Sequence, residues 1–283
     1  MSIRTLGPVL AVAAALAASA TPAQAGITFY DVFKTAAYAQ TSNAAPATPS
    51  FYFGTAGVSS NNSTDLTGAT VSIPTAPNLT LTGSGGEYLY ATPAGTKAAM
   101  DAALPNGQTA TFTLNGGTLN GLAGLLNIPA VDQYATAVPF FTGSTYTTLQ
   151  NFNAANAITL NFGGFTPFSS LVTDAITFLD ISQVGGPSVF SASGPNTLTS
   201  AFVGGGTLQA GTTYDLSLVY SSRIAAQGGF PGSTAFTAYD VRVDLIFTTA
   251  DAVAVPEPSS LALCGIAAAT GLGVARSRRN RGV

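Results

Sequence analysis

The sequence predicts an all-β fold, an antiparallel β-sandwich of Ig-like or jelly-roll-like type with one or two short helices at most. Three observations point there. Two long stretches alternate with period two: Tyr214, Leu216, Leu218 and Tyr220 oppose Asp215, Ser217 and Ser221, while Tyr239, Val241, Val243, Leu245 and Phe247 oppose Asp240, Arg242, Asp244 and Thr248. Each reads as a strand with one face in a core and one in water. Shorter β-rich runs recur along the chain, divided by turn clusters such as Asn115-Gly116-Gly117, Gly163-Gly164 and Gly204-Gly205-Gly206. Finally, 46% of the 283 residues are hydrophobic and only 7% charged, with 31 glycines, a balance that excludes charge-driven disorder.

In chain order, the shorter strands are expected at 70–73, 78–82, 87–91, 108–114, 157–162, 175–181 and 198–203. A helix is predicted over 95–104, where Lys97-Ala98-Ala99-Met100-Asp101-Ala102-Ala103 combines good propensity with a proline on either side. A second short helical turn is expected at 119–126, weakened by Gly121 and Gly124. The stretch 208–216, Leu-Gln-Ala-Gly-Thr-Thr-Tyr-Asp-Leu, resembles the lead-in to a strand of Ig-like and fibronectin-like bacterial surface domains. That resemblance implies that Gly211 makes a turn and Tyr214 packs at the sandwich edge. Residues 26–254 are expected to form one exported sandwich domain, favoured over two smaller ones joined near 129–139.

Composition excludes several chemistries. There is no His, which removes a Ser-His-Asp triad, a His general base and any His-ligated zinc. The lone cysteine, Cys264, removes disulfides within the chain and Cys-based metal clusters. Between the termini, Lys34, Lys97, Arg223 and Arg242 face eleven acids, a net charge of −7. Four scattered bases do not make a phosphate-binding surface, so nucleic acid is not an expected partner. No cofactor is expected.

The two ends carry addresses. In residues 1–25, Arg4 precedes an apolar run and then Ala23-Gln24-Ala25, with Ala23 and Ala25 at the positions a signal peptidase reads. At the other end Pro256-Glu257-Pro258 precedes an apolar stretch and a basic tail of Arg276, Arg278, Arg279 and Arg281. The prolines stop a preceding strand, Ser259 and Ser260 can cap a helix, and the arginines favour the cytoplasmic side. Residues 255–283 thus resemble the PEP-CTERM sorting signal: motif, transmembrane helix and Arg-rich tail. The resemblance implies an exosortase as partner, besides signal peptidase and a transient inner-membrane anchor. It further implies export across the inner membrane to the cell surface or extracellular matrix, in association with exopolysaccharide and biofilm. It specifies an address, not an activity.

Within the body, Asp240 and Asp244 flank Arg242 on one strand face and are expected to form an exposed, self-neutralising row rather than a calcium or acid–base pair. Asp174 and Asp180 are expected to cap the ends of a strand, and no carboxylate is expected to sit in an isolated apolar pocket. Glu87 is the only Glu before the sorting segment, which excludes a Glu–Glu glycosidase pair. The aromatic groups Phe51-Tyr52-Phe53, Phe140-Phe141 and Tyr134 with Tyr146 are expected to fill the core, the other reading being a sugar-stacking platform. Asn61, Asn62 and Asn78 match a glycosylation pattern that chance supplies in a Thr-rich chain, and 60–63 is expected to be a loop tip. The functional expectation is an exported structural or adhesive protein with no catalytic and no metal-binding residues. The alternative is a carbohydrate-binding module or an Asp-dependent glycan-active enzyme.

Overall fold

The computed structural model describes residues 26–92, 95–226 and 229–251. The signal segment with Ala23 and Ala25 lies outside the described residues. So do Pro256, Glu257, Pro258, Cys264, the apolar stretch and the four terminal arginines. Among the described residues no helix is long and apolar enough to cross a membrane.

Nearly all the regular secondary structure of the described residues is β. It begins with two long strands, β1 (Ile27–Ala39) and β2 (Phe51–Ser60), then three short ones, β3 (Gly68–Ser72), β4 (Leu79–Ser84) and β5 (Glu87–Ala91). Helix α1 (Lys97–Ala103) precedes β6 (Thr109–Asn115) and β7 (Ala123–Asn127). A five-residue helix α2 (Thr145–Leu149) leads to β8 (Ile158–Asn161), β9 (Asp174–Gln183), β10 (Ser188–Pro195) and β11 (Ser200–Val203). Two long strands finish the fold, β12 (Thr213–Ala225) and β13 (Thr234–Thr248).

Eleven strands form one continuous sheet in the order β10-β9-β12-β13-β1-β2-β5-β4-β3-β6-β7, and β11-β8 form a small second sheet. The antiparallel expectation holds for every pair except one: β1 runs parallel to β13 over Phe29–Ala39 and Thr234–Asp244. A parallel pair needs a long crossover, and here the crossover is nearly the whole body. The first described strand is thereby laid against the last described one.

Side-chain parity makes a single inner face. Tyr30, Val32, Ala36 of β1 align with odd positions of β13, and these with Tyr214, Leu216, Leu218 and Tyr220 of β12. Two cores lie on that face. One packs β9, β12 and the C-terminal half of β13 against β8, β11 and the connections around Phe141, Leu149 and Phe165. The other is closed because the sheet folds over itself. Phe112 of β6 meets the Tyr30 ring at 5.1 Å, Tyr30 Oη donates to the Leu125 carbonyl, and Thr237 Oγ1 donates to the Asn127 carbonyl. Each buried Leu, Val or Phe in these layers contributes about 1.5–3 kcal/mol relative to exposure.

One local expectation changes, and some strands form where none was expected. The segment expected as a helical turn at 119–126 instead supplies β7, where Gly124 and Leu126 are buried and Ala123, Leu125 and Asn127 exposed. Gly124 decides this through tertiary contact, since a Cβ there would lie 2.7 Å from the Phe230 ring. Strands β1 and β2 have no clean alternation to announce them: β1 places Lys34 on the inner face and Phe29 and Phe33 on the outer. By contrast α1 forms where expected, with Thr96 Oγ1 accepting from the Ala99 amide as its N-cap. The lead-in at 208–216 also forms its turn. Gly211 has φ +64°, and the Gln209 amide donates to the hydroxyl of the buried Tyr214.

Between the two cores the inner face is polar. Lys34 is wholly buried, with Nζ 2.5 Å from Asp101 Oδ1, 2.7 Å from Asn106 Oδ1 and 3.3 Å from Asp132 Oδ1. Lys97 closes the group from the solvent side, 2.6 Å from both Asp101 Oδ2 and Asp132 Oδ2. These contacts pin α1 and the 129–139 segment to β1. They carry an obligation as well as a gain, because a buried ammonium is tolerated only when paired and hydrogen-bonded.

Candidate functional site

The outer face of the sheet carries the more open site. The strand register sets Asp31 beside Phe236 of β13 and Gly57 of β2, and Gly57 beside Leu89 of β5. Phe29 and Phe33 flank Asp31 at the neighbouring outward positions of β1. Together with Glu87 and the β4 end at Thr82, Gly83 and Ser84 they enclose a hollow of about 430 Å³. Its depth depends on Gly57, where a Cβ would lie 3.0 Å from Asp31 Oδ1 and 3.5 Å from Leu89 Cδ1.

Asp31 is only 4% exposed. Burial lifts its carboxyl from an ordinary value near 3.8 up to about 7, against the pull of Arg223 and with a push from Asp240. Arg223 sits one row along, stacked on Phe236 at 4.8 Å and Phe178 at 5.0 Å, with Asp174 at 3.9 Å. The next row holds Asp240 opposite Ser221 and Thr35. Burial raises Asp240 up to about 6 despite Arg223 and Arg242. Ser221 lies against Asp240 and pulls its carboxyl back down, while among the described residues the buried Arg223 Nε has no hydrogen-bond partner, so this strip keeps a spare donor.

Chemically, the arrangement suits binding better than turnover. A carboxyl poised near neutrality under aromatic walls can accept from, or donate to, a hydroxyl. Asp31 and Asp240 do not face each other across an open gap, as the paired carboxylates of a hydrolase do. Arg223 belongs to the row between them.

The sequence-derived candidates scatter. Arg242 Nε contacts Asp244 Oδ1 at 2.7 Å, as expected of neighbours that neutralise each other. Asp240 departs from that row: it is half-buried and belongs with Arg223 and Asp31. Asp174 opens β9, but Asp180 lies mid-strand and accepts from Ser188, so it caps nothing. Phe141 is fully buried, Tyr134 packs edge-on to Tyr239 at 5.4 Å, and Tyr146 packs against the first core. Phe51 and Phe53 do reach the outer face, 5.9 Å apart. Ser60 ends β2 and residues 61–63 form the expected loop, with Asn62 Oδ1 accepting from the Thr64 amide. The expectation that no carboxylate occupies an apolar pocket is overturned at Asp31. The one signal for it was a charged residue inside the apolar run Ile27-Thr-Phe-Tyr-Asp-Val-Phe.

No family model and no curated protein matches the sequence. Among solved structures the chain is similar to the chicken CNTN1 FN1–FN3 domains, with 9% identity and a TM-score of 0.24, over 79% of this chain and 65% of that one. This chain therefore spans just under two thirds of the length of that structure.

Proposed function

We propose that the chain is an exported, non-enzymatic protein of the cell surface or extracellular matrix. Its outer sheet face engages neutral, hydroxyl-rich glycan. The observation that carries the glycan reading is the Asp31 hollow: a near-neutral carboxyl at the floor, Phe29, Phe33 and Leu89 as apolar walls, and Arg223 one row away. Sugar hydroxyls pair with carboxylate and guanidinium groups, and the apolar sugar face rests on rings. Retention on the exopolysaccharide of the producing organism tests this. The wild type should be retained, and Gly57→Val, which fills the floor, should lose most retention without loss of fold. Equal retention of the two would sink the hollow as the site.

The delivery route rests on the sequence of the C-terminal segment. In this reading Pro256, Glu257 and Pro258 direct an exosortase, the following helix holds a transient inner-membrane precursor, and the four terminal arginines set its orientation. Changing the Pro-Glu-Pro triplet to alanines should leave membrane insertion intact and trap unprocessed precursor in the inner membrane. Cell fractionation with intact-mass measurement reads the outcome, and release at the normal rate and mass would refute the sorting role.

A further inference from the structure

We propose that the buried Lys34 forms an intramolecular isopeptide bond with the side chain of Asn106. Four independent placements converge on this reaction. Lys34 Nζ, fully excluded from solvent on β1, contacts Asn106 Oδ1 at 2.7 Å, which sets the amine against the amide carbonyl it would attack. The same Oδ1 receives the Tyr239 hydroxyl at 3.4 Å, a donor that polarises the carbonyl as charge develops on oxygen. Burial raises the Tyr239 hydroxyl, so it stays a proton donor. On the other side of the amide, Asn106 Nδ2 donates to Asp132 Oδ1 at 2.8 Å, and that oxygen also lies 3.3 Å from Lys34 Nζ.

One carboxylate thus touches both the attacking and the departing nitrogen, the position a general base and then general acid needs. Asp132 accepts a proton from the Lys34 ammonium, and the freed amine attacks Asn106 Cγ. The tetrahedral intermediate then collapses with breakage of the Cγ–Nδ2 bond, Asp132 returning its proton to the departing nitrogen. The products are a secondary amide and ammonia, which carries off the remaining proton as ammonium. No oxidant, reductant or other reactant is needed. The bond would tie β1 to the segment entering β6 across 72 residues of chain, in a protein without a cysteine in its described residues.

The purified full-length or naturally processed chain, denatured and measured by intact mass, should be lighter than its sequence by one ammonia. Trypsin has few sites in the body, and a linked Lys34 is not one of them. The digest should therefore contain the peptide ending at Lys97 joined to the peptide that starts at Ala98, with fragmentation placing the link between Lys34 and Asn106. Lys34→Arg and Asp132→Asn should each show the full mass of the variant sequence, cleavage after position 34, and no joined peptide, so that residues 35–97 and the peptide starting at Ala98 run separately. Full mass with normal cleavage after Lys34 in the wild type overturns the proposal. So does loss of water with a link to Asp101 or Asp132. Loss of ammonia without linked peptides also overturns it, because Asn106-Gly107 can close to a succinimide by itself.

Discussion

Asp31 shows how a single side chain sets a measurable property of the whole domain. Its carboxyl stands near 7 in the fold and near 3.8 when unfolded, so the folded chain holds a proton across that window that the unfolded chain releases. Stability therefore falls as pH rises from about 4 to 7 and levels off above, with Asp240 acting in the same direction up to about 6. Thermal melting should give a lower midpoint at about pH 8 than at about pH 5. Asp31→Asn should remove much of that slope and stabilise the protein at high pH, on the order of 2–4 kcal/mol. An unchanged slope in the variant would assign the effect elsewhere. In the proposed glycan reading the same burial has a use: under Phe29 and Phe33, a hydrogen bond to a ligand would be worth more than in water.

Helix α1 illustrates what an element needs beyond its own propensity. Seven residues are too few for a stable isolated helix. It persists because Thr96 caps it, Met100 is buried, and Asp101 is tied to Lys34 and Lys97. It docks on β2 at Gly54, where a Cβ would lie 2.5 Å from Leu104 Cδ1 and 3.3 Å from Met100 Cγ. Gly54→Val should push α1 off the sheet and destabilise by about 1–3 kcal/mol, through overpacking rather than through strand propensity. Thr96→Ala should cost about 0.5–2 kcal/mol by loss of the cap alone. Chemical denaturation measures both. Because Asp101 and Asn106 lie in and just after this helix, the Gly54 variant should also disturb the Lys34 group more than the cap variant does.

At the scale of the whole molecule, the parallel β1–β13 pair governs how the domain bears load. Eleven paired positions link the first described strand to the last, running in the same direction. Force applied at residues 26 and 251 pulls the two strands past each other, so their hydrogen bonds are loaded together. Force applied at residues 213 and 248 meets neighbouring ends of the antiparallel β12–β13 pair and opens its bonds one after another. Single-molecule pulling should therefore show a higher unfolding force for the first attachment geometry. Equal forces would deny β1 a mechanical role. Under the proposed extracellular location such a shear-loaded pair would resist pulling, and an amide link at Lys34 would shorten the chain released when it fails.

The β class, the two long C-terminal strands and α1 were legible because each declares itself locally. Alternation at 214–220 and 239–247 is complete on both faces, and the helix is bracketed by prolines. The two terminal segments read as addresses lie outside the described residues, and their reading rests on linear motif alone. What local pattern does not contain is partner identity across the sheet. Strand β1 has a lysine facing inward and an aspartate buried facing outward, an order that resembles no amphipathic strand. Each becomes intelligible only with its neighbours: Asp101, Asn106 and Asp132 for Lys34, and Gly57, Phe236 and Arg223 for Asp31. The sequence by itself determined the β class, the two long C-terminal strands and helix α1. The tertiary structure alone decided that the first described strand lies parallel to the last, and that charged groups 67 to 98 residues apart meet around the buried Lys34. Burial and pairing energies depend on through-space neighbours, and the fold of the sheet chooses those neighbours.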